Sequence, residues 1–344
     1  GLRINPDSFT DLKRLFRQLK LDYPLTELGA PSFTALFLEQ IKHPVVQAVL
    51  ETRQLSSIAS KYLDKYANKL GKDGILRYCL HQLRGRDYGT KTGRYSSSNI
   101  NVQQVFKEIK QELCISDLVI RDLFLPEKGH QWCCADASQI EFRLFAHYSR
   151  SERLIAAYRD NPNTDFHMQV AELVGMARDP AKNLNFAKLF GAQREKFAEM
   201  IGRPREETDP LFDKYDEEFP EAQRLMSQAM FVAGQRGYVK TLLGRRRRYP
   251  TRERLHSALN AFIQGSAADI MKLKLLQVYA ERKALGLTMR FPVHDELNSD
   301  VENPRIAAKL GELLDHDAIE LSVPIRWNVS MGESWGASQR KENK

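Results

Sequence analysis

The chain has 344 residues, 42% of them apolar and 28% charged, with a formal net charge of +8. No apolar run is long enough to cross a bilayer and the N-terminus lacks a signal-peptide pattern, so no membrane association is expected; the chain is expected to be cytoplasmic and to act as a monomer. The length predicts two or three lobes around a shared cleft, and the charge favours an anionic partner.

Residues 7–70 read as helix-rich. In SFTDLKRLFRQL, polar capping candidates precede Leu12, Leu15, Phe16 and Leu19 on one helical face, and HPVVQAVLETRQLSSIASKYLDKYANK is a second long amphipathic stretch. Gly, Lys, Thr and Ser dominate residues 84–98, which predicts a loop or irregular strand. QWCCADASQIEFRLFAHYS changes period midway. Trp132 to Ala135 suit a short buried strand, whereas Ile140, Leu144, Phe145 and Tyr148 fit a helix beginning near Ser138, so Asp136 falls where a strand ends.

Residues 152–235 are again mostly helical, broken near NPNTDF and GRPREETDP. GRRRRYPTRER at 244–254 sets six arginines beside one glutamate, either a phosphate contact or a solvated loop. FPVHDELNSD at 291–300 reads as two short strands meeting at a polar turn that carries His294, Asp295 and Glu296. A carboxylate buried there is costly unless a cation, such as a metal, sits beside it. IRWNVSMGESW looks like a returning strand and tail. The four cysteines, Cys79, Cys114, Cys133 and Cys134, form no CxxC pair and read as reduced structural thiols. With no internal repeat, the pattern predicts an α+β core with helical lobes attached.

Asp136 and Asp295 are thus two isolated carboxylates at strand ends. Hard divalent cations bind through one or two carboxylates together with substrate phosphates, so the pair, brought together, makes a phosphoryl-transfer site. RDPAKNLNFAKLFGA at 178–192 supplies a third element. Asp179 and Pro180 form a helix start, and Lys182, Phe186 and Phe190 recur every four residues, where a lysine can hold a triphosphate and an aromatic ring can stack a base. The competing reading makes the two phenylalanines core residues and the lysine a solvated one.

DASQIEFRLFAH, RDPAKNLNFAKLFG and VHDEL resemble, in order and chemical type, the three polymerase motifs of family A DNA polymerases, and TGRYSSSNINVQ, TLLGRRR and LNAFIQGSAADIMK resemble further family stretches. The resemblance covers nearly the whole chain. It implies a right-hand polymerase fold with an antiparallel-sheet palm: residues 1–80 the latter part of the thumb, 81–150 and 251–344 the palm, 151–250 the fingers. It also implies a template-directed DNA polymerase, with primer–template DNA and dNTPs as partners and two Mg²⁺ ions, replaceable by Mn²⁺, as cofactors.

By the same resemblance, Asp136, Asp295 and the main-chain carbonyl of Ala137 hold the metals, and Glu296 is an adjacent supporting acid. Arg178, Lys182 and His167 reach the triphosphate, Phe186 and Phe190 pack on the sugar and base, and Glu141 is a steric gate against the ribose 2′-hydroxyl. Ser138 to Glu141 is also a capping-box pattern, which competes for that glutamate. Pro180 is expected to leave Arg178 just outside its helix. Arg94, Asn101, Gln103, Asn260, Gln264 and His294 match positions near the primer–template minor groove, and Arg245 and Arg246 match template contacts. His294 also reads as a plain turn histidine. Phe186 in place of tyrosine implies discrimination against dideoxynucleotides. The exonuclease region upstream in many members is absent from this chain, so no 3′–5′ proofreading is expected. A single-subunit RNA polymerase and a catalytically silent primer–template binding module are the alternatives.

Overall fold

The computed structural model describes residues 4–26, 28–83, 85, 87–106, 120–189, 191, 194–316 and 319–340. They divide into two compact units, one holding the described residues up to Tyr78 and the other those from Cys79 onward. No helix among them is long and apolar enough to cross a membrane.

The smaller unit is helical: α1 (Phe9–Leu19), α2 (Ala35–Glu39), α3 (Pro44–Ile58), a π-helical turn (Ala59–Leu63) and α4 (Asp64–Lys69). The Ser8 side chain accepts the Asp11 N–H and starts α1, and Lys20 in the left-handed region ends it. The expected apolar face follows, since Leu12, Phe16, Phe33, Leu38 and Val46 are buried together.

The larger unit begins with an antiparallel pair, β1 (Cys79–His81) and β2 (Ser96–Ser98). Then come β3 (Gln131–Ala137) and a run of helices: α5 (Ile140–Ser149), α6 (Glu152–Asp160), α7 (Phe166–Val174), α8 (Arg178–Leu189), α9 (Arg194–Ile201), α10 (Arg205–Glu218) and α11 (Pro220–Arg236). The hairpin β4 (Tyr238–Lys240) and β5 (Arg246–Arg248) leads into the 28-residue α12 (Ala258–Leu285). The chain closes with β6 (Leu287–Val293), β7 (Glu296–Val301), α13 (Pro304–Asp315), β8 (Trp327–Gly332) and α14 (Trp335–Gln339).

A four-stranded antiparallel sheet in the order β6-β7-β3-β8 organises this unit. Side chains alternate across a strand, so consecutive residues serve different faces. Cys133, Ala135 and Ala137 of β3, with Leu297 and Val301 of β7, join the core that also takes residues of α5, α12 and α13. On the other face Trp132 stacks on Trp335 at 6.2 Å and meets Phe291 edge-on at 5.8 Å. Adjacent Cys133 and Cys134 are free and buried, and burial raises both thiols, Cys133 to about 12. Cys79 is also free, and Cys114 lies outside the described residues.

Three local expectations are corrected. Helix α8 begins at Arg178, with the Ala181 N–H already bonded to the Ala177 carbonyl at 3.1 Å. Pro180 therefore sits in the first turn, where its missing N–H leaves no gap. The break at GRPREETDP is confined to residues 202–204, and α10 runs on through Pro210. The capping box at Ser138 does not form: Gln139, at φ 48°, precedes α5 with no side-chain cap, and the Glu141 carboxylate goes elsewhere.

Candidate functional site

The β6–β7 hairpin turns through two residues, His294 and Asp295, with His294 in the left-handed region at φ 53°. Such a conformation persists in a non-glycine residue only when neighbours hold it. Gln103 does so: its Nε2 donates to the Pro292 carbonyl at 2.6 Å, and its Oε1 accepts the His294 N–H at 3.3 Å. Strand β3 pairs with β7 so that Asp136 lies opposite Glu296, and the Ala137 N–H donates to the Asp295 carbonyl at 2.9 Å. Two aspartates far apart in sequence therefore meet at one end of the sheet.

They border a cavity of about 340 Å³ lined also by Ala137, Glu141, His167, Arg178, Lys182 and Phe186. Of the residues expected to hold metal or nucleotide, Phe190 lies outside the described residues. Gln139 and Phe142 line the cavity too, and the sequence reading missed them. Gln139 carries no site signal in the sequence, yet its Oε1 accepts the Phe166 N–H at 3.2 Å and ties α5 to α7.

Arg94 is the electrostatic centre. Its Nη2 donates to Glu141 Oε1 at 2.5 Å and to both Asp295 carboxylate oxygens at 3.1 Å. Burial opposes the guanidinium charge, but the carboxylates of Asp295 and Glu141 outweigh it and raise the Arg94 pKa. Burial raises the Glu141 carboxyl, with Arg94 and Gln264 pulling the other way. The second Glu141 oxygen is buried and has no hydrogen-bond partner. Asp295 thus presents both oxygens to one positive group, as it would to a divalent ion, and the oxygen-rich set suits a hard cation completed by substrate phosphates. Among the described residues no three His, Cys, Asp or Glu side chains are grouped to hold a metal unaided.

Helices α7 and α8 supply the opposite wall. Arg178 Nε donates to Asp165 Oδ2 at 2.8 Å, and the same carboxylate caps α7. Lys182 is exposed and, among the described residues, no carboxylate lies within ion-pair distance of it. His167 is buried, its Nδ1 accepting from Asn185 Nδ2 at 3.0 Å. Burial, aided by Arg178 and Lys182, lowers its pKa to about 4, so it is neutral at pH 7. Phe186 meets Phe142 edge-on at 5.2 Å.

Glu296 lies apart from the cavity. Its carboxylate accepts from Asn298 Nδ2 at 2.6 Å, Trp335 Nε1 at 2.8 Å and Gln339 Nε2, and Arg121 stands 3.7 Å away. Its oxygens are committed to tying α14 to the sheet.

The side chains expected near duplex DNA divide in two. Gln103 is buried in the clamp just described, and Asn101 caps the short 3₁₀ turn Val102–Gln104. Arg245 donates to the Thr92 carbonyl and stands 3.6 Å from Asp269, close against Gly93 and Gly265, where a Cβ would collide with it. Those two glycines are what admit the guanidinium. His294 is exposed at the turn, Arg246 lies 4.8 Å over the Tyr238 ring, and Asn260 and Gln264 sit one turn apart on α12, Asn260 with a buried unpartnered Oδ1.

An antiparallel sheet whose end carries two aspartates, faced across a cavity by a cationic helix, defines a right-hand nucleic-acid polymerase fold. The sequence matches the model of DNA polymerase family A over residues 1–337. Thermostable DNA polymerase I of Thermus aquaticus is 32% identical over 361 residues, covering 97% of this chain and 42% of the relative. DNA polymerase DpoZ of Salmonella phage PMBT28 is 29% identical over 390 residues, covering 98% and 62%. The polymerase domain of Pol1 from M. smegmatis, solved with DNA primer-template and dNTP, superposes with a TM-score of 0.84 at 28% identity, covering 99% of this chain and 63% of that one. The chain spans less than two thirds of each of these relatives. It belongs to DNA polymerase family A, whose fold implies a divalent-metal cofactor.

Proposed function

We propose that the chain is a template-directed DNA polymerase that joins dNTPs to a primer 3′-hydroxyl and releases pyrophosphate. The observation that carries this reading is the single cavity in which Asp136 and Asp295 face Arg178 and Lys182. Asp136, Asp295 and the main chain at Ala137 would hold two Mg²⁺ ions, or Mn²⁺, which would lower the pKa of the attacking hydroxyl and neutralise the leaving pyrophosphate. Lys182, with no carboxylate within ion-pair distance among the described residues, binds the triphosphate, and Arg178 adds to it. His167, neutral, contributes a hydrogen bond and not a charge, since a proton on it would compete with those two cations. Phe186 packs beneath sugar and base, with Phe190 further along.

Glu141, fixed by Arg94, fills the space a ribose 2′-hydroxyl would need. Arg94, Asn260, Gln264 and His294 meet the minor groove of primer–template, where acceptors recur at every base pair, so pair shape is checked without reading sequence. Gln103 and Asn101 act by holding the turn and the preceding segment, Arg246 contacts the template strand, and Arg245 braces the loop at Thr92. Glu296 supports the site by anchoring the tail. In this scheme residues 1–80 form part of a thumb, 81–150 and 251–344 the palm, and 151–250 the fingers. The family match occupies residues 1–337, so the proposal gives these residues nucleotide addition and no excision.

Primer extension with Mg²⁺ and dNTPs tests it. The expected outcome is templated elongation with dNTPs far above rNTPs and an undigested mismatched 3′ end. Tight duplex binding without elongation would favour the silent module, and preference for rNTPs the RNA polymerase.

A further inference from the structure

At the far end of α5 from Glu141 lies a second, larger cavity, about 900 Å³, sharing no lining residue with the first. Four cations border it: Arg150 at the end of α5, Arg224 and Arg236 on α11, and Lys240 on β4. Among the described residues none of the four has a carboxylate within ion-pair distance. The lining holds one acid, Glu221, which is buried and accepts from Ser151 Oγ at 2.6 Å. Four exposed like charges around one depression repel one another unless a polyanion neutralises them.

Geometry narrows the choice of polyanion. Arg224 and Arg236 both border the cavity and stand twelve residues apart on α11, a rise of about 18 Å at 1.5 Å per residue. A free nucleotide cannot engage both ends, whereas a strand with phosphates at regular intervals can. The floor is apolar, Val232 and Leu225 beside the paired rings of Tyr148 and Phe262, whose centroids lie 4.7 Å apart. Cations beside half-buried aromatic rings are the composition of a groove for single-stranded nucleic acid. We propose that this cavity is a binding site for single-stranded DNA, separate from the cleft at Asp136 and Asp295. It needs no catalysis, so it stands or falls apart from the polymerase reading.

The test is fluorescence anisotropy with a labelled single-stranded 12-mer, without primer or nucleotide, for wild type and the double variant Arg224→Glu/Arg236→Glu. Affinity should fall at least about tenfold, and the slope of log K against log salt should shrink by about 1.4, two phosphates' worth for a single strand. Binding of blunt duplex should not change. Should the glutamate pair fail to fold, Arg224→Gln/Arg236→Gln should give the same slope change with a smaller affinity loss. Wild-type affinity and slope in a folded variant would overturn the proposal. Equal loss on blunt duplex would also overturn it, as would displacement of the 12-mer by polyglutamate at lower concentration than by unlabelled 12-mer, which would mark an acidic-protein site.

Discussion

At the tip of the β6–β7 hairpin, two neighbouring carboxylates meet opposite environments. Asp295 borders an open cavity and shares one guanidinium with Glu141, whereas Glu296 is buried among the Asn298 amide, the Trp335 indole and the Gln339 amide. The first environment can exchange its partner for a ligand at little cost. The second cannot, because withdrawing the Glu296 carboxylate strands its buried donors. The contrast separates a carboxylate kept for chemistry from one kept for structure, and it can be tested from both sides.

The largest effect belongs on the cleft side. Asp136→Asn and Asp295→Asn should each slow single-nucleotide addition at least about 10³-fold, some 4 kcal/mol of barrier. The thermal midpoint should move little, because Arg94 keeps Glu141 as a partner after the Asp295 change. A variant that melted early but still elongated DNA would invert the comparison.

On the anchored side, Glu296→Ala leaves the Trp335 and Gln339 donors without their acceptor and removes the carboxylate beside Arg121, at a cost of about 3 kcal/mol. Thermal denaturation should show a drop of about 6 to 12 °C at that cost. Trp335→Phe, which loses one hydrogen bond and part of a fully buried ring, should cost about 2 kcal/mol. If Glu296→Ala instead abolished nucleotide addition with the melting curve unmoved, Glu296 would belong with Asp295.

The hairpin and the β3–α5 junction were legible because each is written locally, as alternation interrupted by a polar pair and as a change of period from two to 3.6. The long-range partners were not. Arg94, Glu141 and Asp295 lie in three distant segments: the pairing of β3 with β7 brings Glu141 and Asp295 together, and Arg94 reaches both from the segment before β2. Gln103 shows the same limit: its residue type suits a groove contact, while its burial and its bonds to the hairpin backbone depend on a fold no local pattern encodes. Proline at the third position of α8 misled in the other direction, since the rule against a helical residue before proline yielded to a first turn that needs no proline N–H.

His167 sharpens the comparison, because it lines the cleft yet is buried as deeply as a core residue. Its folded pKa of about 4 lies below the unfolded value near 6.5. The unfolded state therefore takes up the proton first, so stability is full above about pH 6.5 and declines as pH falls towards 4. The shift corresponds to roughly 3 kcal/mol. Denaturant melts at pH 7 and pH 4.5 should show a smaller stability difference for His167→Gln than for wild type. An identical difference would mean that His167 is not the group taking up that proton.

The smallest effect is expected at Phe186, which changes choice of substrate and not rate or stability. Its ring lines the cavity while packing edge-on against Phe142 at 5.2 Å and lying 5.9 Å from His167, so the body of the side chain is held by apolar neighbours. Phe186→Tyr adds one hydroxyl to a ring already in place. That hydroxyl can replace the hydrogen bond a dideoxynucleotide lacks, whereas a normal dNTP supplies its own 3′-hydroxyl and gains little. The ratio of dNTP to dideoxynucleotide incorporation should therefore fall at least about tenfold, or 1.4 kcal/mol, with dNTP turnover and thermal midpoint near wild type. An unchanged ratio in an active variant would mean that the Phe186 ring does not lie against the sugar, and that the α8 wall meets the nucleotide through Lys182 and its phosphates instead.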